Sequence, residues 1–196
     1  MSSPSVAALV LEIVGVTASW LFYLPLFLGG PRADAEATVP GDRTLIGFAL
    51  QILALLILVG FHRPWPGPLS WNPIIEPTLA VVSLVVAVAS VRLSQLARRE
   101  LGTNWNFRAG LVDGHTLITT GPFRFVRHPL SLGFFGLVMA TGLAVARAPA
   151  IPIAAIIFLI GTIVRIRTED RVLSAAYGTE FELYKRKVSA LLFLDL

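Results

Sequence analysis

The sequence predicts an all-α fold: a polytopic integral membrane protein of about five transmembrane helices with a C-terminal cytoplasmic helix. Three observations carry this reading. The 196 residues are 55% hydrophobic and 14% charged, with a mean hydropathy of +0.75, whereas a soluble domain carries about 25% charged residues. Five apolar stretches reach or approach the roughly 20 residues that a bilayer-spanning helix needs. Threading those stretches through a bilayer also gathers nearly all the basic residues on one side.

The first stretch, 5–28, holds Trp20 and Tyr23 toward one end and Glu12 within it. A carboxyl group in lipid is costly and calls for a partner or a protein-facing position. No basic region precedes this stretch, so it reads as a retained helix and not as a cleaved leader. The second, 44–61, follows a loop rich in Pro, Gly and Asp, and the third, 74–96, is bounded by Pro73 and by Arg98 and Arg99. Between them, His62 to Asn72 is dense in Pro and Trp and suits the membrane interface, a layer that aromatic side chains favour. The fourth and fifth, 129–146 and 149–166, are separated by a very short turn, which predicts an antiparallel hairpin. The longest polar connection runs from Arg98 to Arg127, and the tail from Arg165 begins as a charged helix and ends apolar. Gly15 and Gly60, within or at the ends of helices, are expected at helix-packing positions. The whole chain, 1–196, reads as one domain.

With five spans, fourteen of the sixteen Lys and Arg residues fall on one side and only Arg63 and Arg147 on the other. The positive-inside rule makes the first side cytoplasmic, placing the N-terminus outside and the C-terminus in the cytoplasm. Topology and contact with lipid head groups account for the net charge of +4 better than nucleic acid does. Absence of cysteine excludes disulfides, thiolate metal sites and a cysteine nucleophile. The three histidines, His62, His115 and His128, have no metal-ligand spacing, so no metal is expected. A prokaryotic plasma membrane is the simplest location for a chain without cysteine or a targeting segment.

Unusual polar residues concentrate in two stretches, Leu101 to Ser131 and Arg165 to Val188. The hairpin brings both to one cytoplasmic surface. In Arg127-His128-Pro129, proline suits the first helical position. His128 then occupies the N-cap, beside unpaired N–H groups at the positive end of the helix dipole, where an anion is favoured. The same tripeptide could equally serve as an interfacial anchor. Arg165 and Glu169 are four apart and share a helix face, but base before acid is the weaker order for an intrahelical pair. Ligand binding by the pair is the other reading: Arg165 for an anion, Glu169 for a cationic or hydroxyl-bearing group.

The motifs run Leu101-Gly102-Thr103-Asn104-Trp105, His115-Thr116-Leu117-Ile118-Thr119, Gly121-Pro122-Phe123, Val126-Arg127-His128-Pro129 with Gly133, then Pro149. They continue with Arg165, Glu169-Asp170, Leu173, Tyr177-Gly178, Glu180-Phe181 and Tyr184. Together they resemble the isoprenylcysteine carboxyl methyltransferase family of integral membrane methyltransferases, and more distantly the membrane phospholipid methyltransferases. The resemblance covers roughly 101–188, which it marks as the catalytic core. It implies an S-adenosylmethionine cofactor between the loop before helix four and the start of the tail. The cofactor contacts it implies are His115, Thr116, Leu117, Ile118, Phe123, His128, Pro129, Leu130, Ser131 and Glu169. Arg165 corresponds to the arginine that handles the substrate carboxylate, making Arg165 and Glu169 the expected catalytic pair. Three positions depart from the pattern. A family tyrosine after the RHP is Ser131, the tyrosine of GPY is Phe123, and the second acid of the E-E pair is Asp170.

The expected reaction is methyl transfer to a lipophilic acceptor, most simply the carboxylate of an isoprenoid-type substrate that enters sideways from the bilayer. A carboxylate has a reference pKa near 4 and needs no general base at neutral pH, which suits a site with an arginine and no evident base. Alternatives from other classes are a phospholipid N-methyltransferase, a membrane reductase using NADPH, and a non-catalytic membrane scaffold.

Overall fold

The structure is a computed structural model that describes residues 4–27, 42–62, 75–105, 116–146 and 148–192. Its long helices are α1 (Pro4–Tyr23), α2 (Asp42–Gly60), α3 (Ile75–Leu101), α4 (Pro129–Val145) and α5 (Ala150–Tyr177), followed by the short α6 (Thr179–Lys187). Each predicted span is thus a helix, and among the described residues none forms a named strand. Windows in α2, α3 and α5 are long and apolar enough to cross a membrane, while Val10–Leu26 and Pro129–Val145 are shorter apolar helices. The protein has an all-α integral membrane fold.

The helix ends follow local chemistry. Pro129 opens α4 with His128 at its N-cap, and Pro149 stands at the N-cap of α5. Gly178 ends α5 with φ +50, a left-handed conformation that glycine adopts without steric cost. Acidic Glu180 and Glu182 in the first turn of α6, and basic Lys185, Arg186 and Lys187 in its last, complement the helix dipole. At 28 residues, α5 is about 42 Å long, beyond the roughly 30 Å of a hydrocarbon core. The sequence placed its spanning part at 149–166. The helix continues without a break through its charged end to Tyr177.

Packing departs from the simple hairpin expected of α4 and α5. The two touch, but α5 lies mainly along α2, and α4 mainly along α3, which also packs on α1. Small residues explain these choices. A Cβ on Gly161 would sit 2.5 Å from the Gly47 carbonyl oxygen, so α2 and α5 meet backbone to backbone. A Cβ on Gly133 would lie 2.8 Å from the Ser90 carbonyl, which fixes the α3–α4 crossing in the same way. Gly15 is a packing position too, against Leu84, but Gly60 is not: open space surrounds it.

The core is lined by Val16, Leu58, Leu137, Val138 and Phe158. Leu11, Val14, Leu56, Val85 and Ile156 point outward, the inversion expected where lipid is the solvent. Buried polar groups find partners across helices. Ser83 donates to Glu12 at 2.9 Å, which answers the carboxyl group in the first span. The Gln51 amide donates to Thr162 at 2.9 Å, and the Trp20 indole to Thr141 at 2.9 Å.

Overpacking a tight contact costs about 1–3 kcal/mol. Gly161→Val is therefore expected to lower the thermal unfolding midpoint of the detergent-purified protein, while Gly60→Ala leaves it unchanged. Equal midpoints in a paired denaturation series would contradict the close α2–α5 approach.

Candidate functional site

The overhanging end of α5 meets the start of α4, and His128 is the junction. Its carbonyl accepts the first helical bond of α4, from Leu132 N–H at 3.1 Å. Its side chain does not cap that helix but turns toward α5. Nδ1 lies 3.1 Å from Oε2 of Glu169 and Nε2 lies 2.9 Å from Oδ1 of Asp170. Ionised carboxylates only accept hydrogen bonds, so a ring between two of them carries a proton on both nitrogens. Burial alone would lower the His128 pKa, but the bonds to Asp170 and Glu169 outweigh it and push it up to about 9.

Each carboxylate has further basic partners. Arg165 Nη2 donates to Oε1 of Glu169 at 3.3 Å. Asp170 Oδ2 faces Arg127 Nη2 at 3.5 Å and Lys185 Nζ at 3.7 Å. The result is a continuous row of alternating charge from Lys185 and Arg127, through Asp170, His128 and Glu169, to Arg165. Four cations stand against two carboxylates. Its middle is sealed and both ends are more open, with the Lys185 side chain 33% exposed. The side chains of Arg127, His128 and Asp170 are 1%, 6% and 8% exposed, whereas those of Arg165 and Glu169 are 13% and 26%. A ligand can reach the Arg165–Glu169 end.

The remaining expected residues surround this row unevenly. Pro129 is buried, and Leu130 and Ser131 are half-buried in the first turn of α4. Phe123 is buried in a 3₁₀ turn, Gly121–Arg124, whose carbonyl at Phe123 accepts a hydrogen bond from the Tyr184 hydroxyl of α6. Burial pushes the Tyr184 phenol up to about 12, so it stays a donor through the neutral range. Gly121 adopts φ +56, and a Cβ there would crowd the Glu100 carboxyl at 3.0 Å. Thr116 is exposed and accepts from Asn104 Nδ2 at 3.3 Å, tying this stretch to the end of α3; Leu117 and Ile118 are half-buried. His115 lies outside the described residues.

The structure therefore joins Arg165, Glu169 and His128 directly and adds three side chains not expected in the site: Arg127, Asp170 and Lys185. The first two stand next to predicted residues in sequence, which was the available signal. A backbone contribution had no such signal. The segment after α6 pairs with the chain just before α4, Arg127 N–H donating to Ser189 O at 2.9 Å and His128 N–H to Ala190 O at 3.2 Å.

Comparison with known proteins bears on this arrangement. Residues 81–175 match the sequence model of the Isoprenylcysteine carboxyl methyltransferase (ICMT) family. This span includes most of α3 and nearly all of α5, and it stops short of α6. No curated protein matches the sequence. Among solved structures, the fold is similar to that of the eukaryotic intramembrane Ras methyltransferase ICMT, determined without a monobody. That match has a TM-score of 0.63 at 17% identity and covers 100% of this chain and 70% of the other. Residues 81–175 are thus similar in sequence to the isoprenylcysteine carboxyl methyltransferase family, and the chain shares the all-α membrane fold of a solved enzyme of that name.

Proposed function

We propose that the protein transfers a methyl group from S-adenosylmethionine to the carboxylate of a lipophilic, isoprenoid-type acceptor at the cytoplasmic face of its membrane. The observation that carries this reading is the alternating row of charge, whose middle is sealed and whose Arg165–Glu169 end, on the spanning helix α5, is partly exposed. It favours the carboxylate acceptor over an amine, because four cations against two carboxylates attract an anion and repel an ammonium group.

The residues present fit the cofactor. Glu169 is an ionised, partly exposed carboxylate whose oxygens each retain a lone pair beyond the bonds to His128 and Arg165. It suits a cationic group, while the excess of positive charge suits the carboxylate of an amino-acid moiety. S-adenosylmethionine, when bound, supplies an electrophilic methyl group on a sulfonium. What the chain supplies is position. The planar guanidinium of Arg165 suits a carboxylate acceptor, which it would orient as a fork, and holding nucleophile and methyl about 3–3.5 Å apart and in line provides most of the catalysis. No side chain has to remove a proton from a carboxylic acid that is ionised at neutral pH. The site stands where α5 leaves the apolar layer, so an acceptor's hydrocarbon tail can stay in lipid while its head group meets a water-soluble cofactor. The distribution of basic residues supports a cytoplasmic site and an external N-terminus, and the absence of cysteine suits a prokaryotic plasma membrane as the setting.

Three outcomes test this function. Calorimetry on detergent-purified protein should show saturable S-adenosylmethionine binding that Glu169→Ala weakens at least about tenfold, the ~1.5–3 kcal/mol of a charge-assisted hydrogen bond. NADPH should not bind; an absence of S-adenosylmethionine binding by folded protein would refute the proposal. Arg165→Lys should leave cofactor affinity within a few-fold and reduce kcat/KM for a carboxylate acceptor about 100-fold, since a point charge cannot replace a bidentate fork. For pH, the folded-state pKa of His128 is raised from 6.5 to about 9. Its contribution to stability is therefore complete below about 6.5 and is lost as the pH rises through about 9. Thermal denaturation from pH 6 to 10 should show that decline, and His128→Gln should flatten it.

A further inference from the structure

Asp170 is too buried to meet a ligand, yet it lies at the centre of the row. On a helix, consecutive residues diverge by about 100°, so Glu169 and Asp170 leave α5 in different directions. The His128 ring spans the gap with one nitrogen on each carboxylate. The other oxygen of Asp170 faces Arg127 and Lys185. Arg127 Nη1 in turn donates to the carbonyls of Lys185, at 3.0 Å, and of Val188. The segment after α6 is clipped in place by Ala190 and Leu191, which are buried with Val126 and Ile166. Its carbonyls hold the backbone N–H groups of Arg127 and His128.

We propose that Asp170, braced by Arg127 and by the strap Ser189–Leu191, is the positioning residue of this site: it holds His128 as an imidazolium whose Nδ1–H fixes the rotamer of Glu169. Asp170 does not touch the reacting atoms. It acts through His128, and Glu169 presents its carboxylate to the ligand as a consequence. The charged groups facing His128 are Glu169, Asp170 and Arg165 on α5, Arg127 on its own segment and Lys185 on α6. Only the two carboxylates oppose loss of its proton, and Asp170 is the one that no ligand can displace. The effect on the cofactor rests on the function proposed above, whereas the ionisation of His128 does not.

The experiment has two arms. Nitrogen-15 NMR of histidine-labelled protein reports ring protonation directly. There are three histidines, and the His128 signal is identified by its loss in His128→Gln. His128 should be an imidazolium at pH 8 in the unsubstituted protein. Asp170→Asn keeps the shape and an acceptor oxygen but removes the charge, so the titration midpoint should fall by about one pH unit or more. Asp170→Glu should restore it. A neutral His128 at pH 8 in the unsubstituted protein overturns the proposal without any variant, as does an unchanged midpoint in Asp170→Asn. The second arm is S-adenosylmethionine affinity against pH. Asp170→Asn should bind within about twofold of the unsubstituted protein at pH 6, where His128 protonates unaided, and at least about threefold more weakly at pH 8.5, the loss of protonated ring that a one-unit fall gives. A deficit equal at both pH values marks a merely structural role and also overturns the proposal. If the NMR arm holds and the unsubstituted protein binds no S-adenosylmethionine, the proposed function fails and the assignment of Asp170 as the group holding the imidazolium stands.

Discussion

His128 holds a proton on each ring nitrogen because each faces a carboxylate, and the geometry of the site depends on that imidazolium. Remove the positive charge and two carboxylates on adjacent residues of α5 face each other across a buried gap. Removing one partner from a buried ion pair costs about 3–5 kcal/mol because the other charge is left unpaired. The row solves this by alternation: Arg127 and Lys185 balance Asp170, His128 lies between Asp170 and Glu169, and Arg165 ends the series. Arg127, His128 and Asp170 are sealed in the middle of the row, while Lys185 at one end and Glu169 near the other are partly exposed.

The membrane fold positions this network by simple means. Glycine at 161 and 47 lets α2 and α5 approach backbone to backbone, and Arg165 lies one turn beyond that contact. Glycine at 133 does the same for α3 and α4, one turn after His128. The two crossings fix the two helices that carry the site, even though those helices touch each other less than either touches its main neighbour. Length supplies the rest. Because α5 is longer than an apolar layer is thick, its final turns carry Glu169 and Asp170 out to where α6 and the strap can reach them.

Much of this architecture was legible in the sequence. Five apolar stretches became five helices because burial in lipid is a local demand on composition. Pro129 and Gly178 marked helix ends because their backbone preferences are intrinsic. Glu12 announced a buried partner, which proved to be Ser83. The motifs around His128, Arg165 and Glu169 singled out three residues that do meet. Gly60 misled, because glycine near a helix end has the same letter whether it packs or faces open space. The charged helix expected from Arg165 is present as an unbroken continuation of α5 to Tyr177, because its charged residues end the apolar signal without ending the helix.

By itself, then, the sequence determined the all-α membrane class, the apolar stretches that become helices and the shared helix face of Arg165 and Glu169. These are readable because each depends on composition or on residues a few positions apart. Only the tertiary structure decided which way the His128 ring turns, that Asp170 and Arg127 are sealed behind it, and that the carbonyls of Ser189 and Ala190 hold the backbone there. Those contacts join residues 41 to 62 positions apart, and some use main-chain atoms that every residue has. Backbone hydrogen bonding leaves no mark in the order of side chains, so such a contact becomes visible only when the chain is folded.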